Sequence, residues 1–179
     1  DMLSPLKELL ETTLNWNSTT FGTYAASEYF LNVFCLFLIF AGIILDKMGI
    51  RFTGLLSGSL MVIGACIKFY AMSDWFVGTG LETWLNSWWV DLPGSAKLAC
   101  FGFMVFGCGC EMAGTTVSKA IAKWFKGRNM ALAMGLQLAI ARFGTATAIL
   151  VAPMIVTQKA AGEIYTLSDT NKPALIGLA

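Results

Sequence analysis

Four apolar runs, each long enough to cross a bilayer, constrain this chain more than any other feature. A spanning helix needs ~20 mostly apolar residues, because each residue adds ~1.5 Å against a hydrocarbon core ~30 Å thick. The runs extend from Phe21 to Leu45 (densest from Tyr29), from Phe52 to Met72, from Leu98 to Val117 and on as helix to Trp124, and from Met130 to Val156. Composition agrees: the 179 residues are 56% hydrophobic and only 13% charged, about half the charge of a soluble domain. The expected fold is an all-α membrane protein with four complete transmembrane helices.

The connections alternate in character. Asp46 to Arg51 is short and carries Lys47 and Arg51, while Lys119 to Arg128 carries Lys119, Lys123, Lys126 and Arg128. The connection from Trp75 to Lys97 and the N-terminal segment are longer and less basic. Basic residues concentrate beside the cytoplasmic ends of spans, so the 46–51 and 119–128 turns are expected on the cytoplasmic side. Trp75, Trp84, Trp88 and Trp89 crowd the opposite connection, and Trp124 marks the inner end of the third run. Tryptophan prefers the headgroup level, so these read as interface anchors. The first residues lack the basic region and cleavage site of a signal peptide.

Other classes find little footing. A net charge of +1 gives no reason to expect a nucleic-acid partner. Histidine, the commonest metal ligand and neutral-pH acid or base, does not occur. Cys35, Cys66, Cys100, Cys108 and Cys110 lie in apolar or glycine-rich runs and read as small packing residues. No catalytic residues, metal site or cofactor are expected, and the chain does not read as an enzyme. Asn17-Ser18-Thr19 matches a glycosylation acceptor, and Gly54 with Gly58 forms a small-residue pair suited to helix packing.

The first basic turn reads Gly42-Ile43-Ile44-Leu45-Asp46-Lys47-Met48-Gly49-Ile50-Arg51. A reversal this tight needs a small residue, which suits Gly49, and Gly42 allows a close helix approach. Asp46, Lys47 and Arg51 can make charge-assisted bonds at the membrane surface, and a carboxylate such as Asp46 is favoured at a helix N-terminus. The spacing Gly-x-x-x-Asp-Lys-x-Gly-x-Arg resembles the loop between helices two and three of the major facilitator superfamily. That resemblance implies a cytoplasmic gate between two six-helix halves, formed here by Gly42, Asp46, Lys47, Gly49 and Arg51. Ile50 departs from the family pattern, which usually has a basic residue there. The runs then become helices two to five of an N-terminal half. Residues 1–20 would be the outer end of helix one and its loop, and 157–179 an outer loop and the start of helix six near Pro173. The implied partners are the bilayer, a small zwitterionic or anionic solute, and a C-terminal half of the same carrier.

Two ionisable residues fall at mid-depth. Glu111 lies 13 residues from both Leu98 and Trp124, and Arg142 lies 12 from Met130 and 14 from Val156. A charge at the bilayer centre costs ~2.5–3.5 kcal/mol on insertion scales, so such residues face the bundle interior or water and mark substrate paths. A simpler reading, compatible with the first, is that they pair with each other and hold two helices together. Gly107, Cys108, Glu111, Gly114, Thr115 and Ser118 form one small, polar helix face, and Arg142 shares a face with Gly135, Leu138 and Ala146. The stretches Ala122 to Gly127 and Gly135 to Gly144 resemble the branch that contains the lysosomal dipeptide carriers. There, a helix-four Glu and a helix-five Arg would bind the amine and carboxylate ends of a short peptide, and Glu111 and Arg142 occupy those positions. Phe103 stands where many drug and sugar members carry an Arg, so coupling details do not carry over from those branches. Tyr24 and Asn32 are further candidates for lining the site. Glu28 lies nearer the outer face, where it reads as an interface residue or part of a coupling path. The expected function is secondary transport of small peptides or similar zwitterions by alternating access, with the plasma membrane favoured over the lysosomal one. An organic anion carrier and a non-transporting assembly or sensor protein are the competing readings.

Overall fold

A computed structural model describes residues 11, 16–34, 36–73, 75–76, 78–127 and 129–155, and of residues 32, 34 and 152–155 the backbone alone. The expectations for residues 1–10, for Asp74 and Arg128, and for the segment after Ile155 lie outside these residues. Among the described residues there are helices and turns and no strand. The helices are α1 (Ser18–Phe34), α2 (Phe37–Ala71), α3 (Gly80–Asn86), α4 (Gly94–Trp124) and α5 (Met130–Ile155). Helices satisfy every backbone polar group within one segment, which a lipid surround demands.

The first run differs from its expected form. It is not one helix from Phe21 to Leu45, because Leu36 takes a left-handed conformation (φ 49°, ψ 37°) and separates α1 from α2. No glycine or proline marks this break in the sequence. Conversely, helical geometry resumes at once after the basic turn. Gly49 (φ 83°, ψ 172°) is the non-helical residue inside α2 and divides it into two arms. That positive φ is cheap for glycine and strained for a residue with a Cβ.

Contact pairs give the direction of each piece against α4. Trp16 bonds Ser95, Tyr24 stacks on Phe103, and Glu28 lies against Gly107, so α1 rises parallel to α4. In the second arm of α2, Gly64 lies against Gly102 and Phe106, Met61 and Ser57 against Gly109, and Gly54 against Thr116. Those pairs run in opposite senses, so this arm descends antiparallel to α4 and the chain reverses at Gly49. At the level of that reversal Lys119 Nζ donates to the Leu45 carbonyl (3.3 Å). The 46–51 turn and the C-terminal end of α4 therefore share one side of the bundle. Trp75, Trp84, Trp88 and Trp89 are exposed beyond its other end.

The packing is of the membrane kind. Apolar side chains gain nothing by leaving lipid for each other, so helices associate through close backbone approach at small residues. A Cβ on Gly64 would sit 2.5 Å from the Phe106 nitrogen and 2.7 Å from the Gly102 carbonyl oxygen, and one on Gly109 would sit 2.9 Å from the Met61 nitrogen. Large apolar residues point outward instead, among them Leu55, Leu132 and Phe143. The buried core gathers at the end opposite the 46–51 turn, from Trp16, Tyr24, Ala71, Met72, Ala96, Ala99, Cys100 and Phe103. Buried hydroxyls bond to carbonyls of their own helix: Ser27 to Tyr24, Thr53 to Gly49, Ser57 to Gly54 and Thr116 to Met112.

The connection between the second arm of α2 and α4 contains the short α3. Its Glu82 accepts from the Gly78 amide (2.6 Å), Asn86 accepts from the Gly94 amide (2.7 Å), and Lys97 Nζ donates to the Leu85 carbonyl (2.7 Å). These bonds fold the connection onto the start of α4. Helix α5 is different: none of its apolar window is buried.

Gly64→Ala is expected to lower the melting temperature of the purified protein, because both clashing neighbours are backbone and overpacking costs ~1–3 kcal/mol. Gly58→Ala, whose new methyl would meet nothing within 4 Å, is expected to leave it unchanged or raise it. Equal shifts for the two would count against the close approach.

Candidate functional site

Glu111 lies near the middle of α4 and is half-buried. Its surroundings are set by glycine. A Cβ on Gly107, one turn earlier, would clash with the Glu28 carbonyl oxygen and lie 3.0 Å from the Glu28 Cγ. Glycine at 107 therefore lets α1 lie against α4 and sets Glu28 beside it. Glu28 interacts electrostatically with Glu111, so the two carboxylates share one neighbourhood, across two helices. Sequence alone placed Glu28 nearer the outer surface.

A cation completes this cluster. Lys68, in the second arm of α2, holds its Nζ 4.5 Å from the centroid of the Phe103 ring and 4.6 Å from that of Phe106. The same charge interacts electrostatically with Glu28. Lys68 was not singled out from sequence because it lies four residues before the end of its apolar run, where a lysine ordinarily snorkels to the surface. The available signal was its spacing from Gly64, one turn earlier, which turns that face toward α4.

Arg142 is exposed, midway along α5. Gly135, on the same face, has open space where a Cβ would stand. No ion pair or hydrogen bond joins Arg142 to Glu111. The small polar face of α4 divides: Gly107 and Cys108 are buried, whereas Gly114 is exposed with open space beside it. Tyr24 is fully buried, stacked on Phe103 with centroids 4.8 Å apart, and its hydroxyl has no hydrogen-bond partner among the described residues. Asn32 belongs to α1, and its side chain lies outside the description. A cleft at the end opposite the 46–51 turn, lined by Glu11, Trp16, Asn17 and Ser18, contains neither Glu111 nor Arg142. Among the described residues no group of three His, Cys, Asp or Glu side chains could hold a metal ion.

At the basic turn Asp46 pairs with Lys119 of α4. Both are substantially exposed, and pairs of this kind are worth ~0–1 kcal/mol. The contact, with the Lys119 bond to Leu45, therefore orients the turn more than it stabilises the fold. Lys47 and Arg51 are exposed, and a Cβ on Gly42 would meet nothing within 4 Å among the described residues.

Because the Tyr24 hydroxyl is buried without a partner, Tyr24→Phe is expected to hold or raise the melting temperature, since such groups cost ~1–3 kcal/mol when unsatisfied. A clear fall on calorimetry would show that the hydroxyl has a partner in the intact protein.

The sequence profile of the Major Facilitator Superfamily matches residues 1–160. Two curated relatives are similar, the lysosomal dipeptide transporter MFSD1 of Pongo abelii and of Homo sapiens, each 30% identical over 130 residues. The match covers 72% of this chain and 23% of each relative, so the chain spans about a quarter of their length. No solved structure matches. With helices long and apolar enough to span a bilayer, the chain is integral and multi-pass, and it belongs to the Major Facilitator Superfamily.

Proposed function

We propose that the complete carrier moves small peptides or similar zwitterions by alternating access. The observation that carries this reading is the division of charge at mid-depth. Glu111 of α4 interacts electrostatically with Glu28 of α1, while Arg142 stands exposed on the next helix. A carboxylate accepts hydrogen bonds from an ammonium, and a guanidinium grips a carboxylate with two parallel bonds. A solute carrying both groups would satisfy both sides and bridge charges that do not meet in its absence. The similarity to dipeptide transporters supports the same class. In such carriers a midplane site opens to each side in turn.

The Gly42 to Arg51 turn would then serve as the cytoplasmic gate, with Lys119 holding Asp46 in place. A plasma-membrane location remains our reading, with membrane fractionation as its test.

Uptake of a radiolabelled dipeptide into vesicles holding the full-length protein is expected to fall at least tenfold in Glu111→Gln and in Arg142→Ala, the usual scale for a lost bond to a charged group. Uptake unchanged in both would sink the assignment. Because Arg142 stands open, an organic anion is the second reading. N-acetylation of the competing dipeptide separates the two, since it should weaken competition at least tenfold only where an acid binds the free amine. Asp46→Asn is expected to change transport rate with little change in melting temperature, because the Asp46–Lys119 pair stabilises weakly.

A further inference from the structure

We propose that Lys68 sets the charge selectivity of the acid side of the site: it neutralises Glu28 and leaves Glu111 as the carboxylate open to a substrate ammonium. This rests on the zwitterion reading and names a residue that the family resemblance did not supply. Three independent features place it. The backbone around Lys68 is held against α4, since a Cβ on Gly102 would lie 3.0 Å from the Lys68 nitrogen and 2.9 Å from the Ile67 Cγ2. Its ammonium rests between two rings, Phe103 and Phe106, whose centroids are 6.2 Å apart. Glu28 is held on the other flank of the same α4 stretch by Gly107.

Cation–ring contacts favour a desolvated ammonium, so the rings keep Lys68 within the bundle where a lone lysine would otherwise reach for the surface. From there it interacts electrostatically with Glu28, and Glu28 with Glu111. The buried Tyr24 hydroxyl, unpartnered among the described residues, lies one turn before Glu28 and interacts electrostatically with it, which extends the polar cluster along α1. Two acids with one resident base leave a single negative charge, suited to a ligand presenting one ammonium. A second ammonium on the ligand would meet Lys68 rather than a free acid. Adding or removing a full charge within about 10 Å of a partly desolvated site changes affinity by about tenfold.

The test measures competition by dialanine and by alanyl-lysine against dipeptide uptake in the full-length carrier, read as the ratio of their half-inhibitory concentrations. Lys68→Met is expected to move that ratio about tenfold toward alanyl-lysine, and Lys68→Arg to leave it within about twofold. Glu28→Gln is expected to move it about tenfold the other way, so each sign is checked by its own variant. The double variant Glu28→Gln/Lys68→Met restores the net charge and should return the ratio to the wild-type value, whereas a purely structural Lys68 would compound the damage. An unchanged ratio in folded Lys68→Met or Glu28→Gln, or no restoration in the double variant, overturns the proposal. If the wild type takes up neither dipeptide, the zwitterion reading falls by itself. Lys68 is then judged by thermal stabilisation of the full-length protein with ethylamine and 1,4-diaminobutane. The diamine should act at about tenfold lower concentration on Lys68→Met than on wild type, and equal concentrations overturn the assignment.

Discussion

The close approach of two helices to α4 is the constraint from which the remaining features follow. Lipid offers apolar side chains as good a surround as protein does, so burial alone cannot assemble these helices. What assembles them is backbone contact at Gly64, Gly102, Gly107 and Gly109, where no Cβ fits without displacement. Once α1 and the second arm of α2 lie that close to α4, Glu28 and Lys68 have no route away from it. The polar cluster is thus a consequence of packing, and the packing a consequence of where side chains are missing.

The two ends of the bundle are held by different means. At the end away from the 46–51 turn Trp16, Tyr24 and Phe103 form a buried aromatic cluster, tied by the Trp16 bond to Ser95 (3.3 Å). At the other end the contacts are polar and exposed, from Lys119 to Leu45 and Asp46. On the proposed reading, a well-packed end and a weakly tied end would suit a half that holds its own shape while one face meets a moving partner. Gly49 serves the same need, since helix resumes on both sides of a single residue and the turn has little slack.

Much of this was legible in the sequence. Spanning runs are long and apolar enough to be read directly, and the Gly42 to Arg51 spacing with the mid-run Glu111 and Arg142 pointed to the family. Local patterns failed where long-range contact decides. Nothing near Leu36 signals a break: no glycine or proline accompanies its left-handed backbone. Helix α3 is tied down by Asn86 and Lys97, whose partners lie across the connection and not in the local pattern. Lys68 looked like a run-end residue because its rings come from another helix. Lys119 was counted among the basic residues of its turn, yet its contact with Asp46 spans 73 positions. Glu28 was placed by its distance along one helix, and the neighbour that gives it meaning, Gly107, lies 79 positions away.

The asymmetry between α4 and α5 carries the functional reading a step further. Half-buried charges on helices held together by backbone contact have little freedom to move apart. An exposed Arg142 on a helix with an uncovered apolar face carries no such restraint. On the proposed reading, the acid side would be the fixed reference of the site and the basic side its adjustable arm. Ligand binding could then favour one arrangement of the carrier over another, since only a solute touching both sides has a different affinity for states in which their spacing differs. A ligand reaching Glu111 alone would bind without shifting anything, which gives a physical reason for a carrier of this build to prefer solutes charged at both ends.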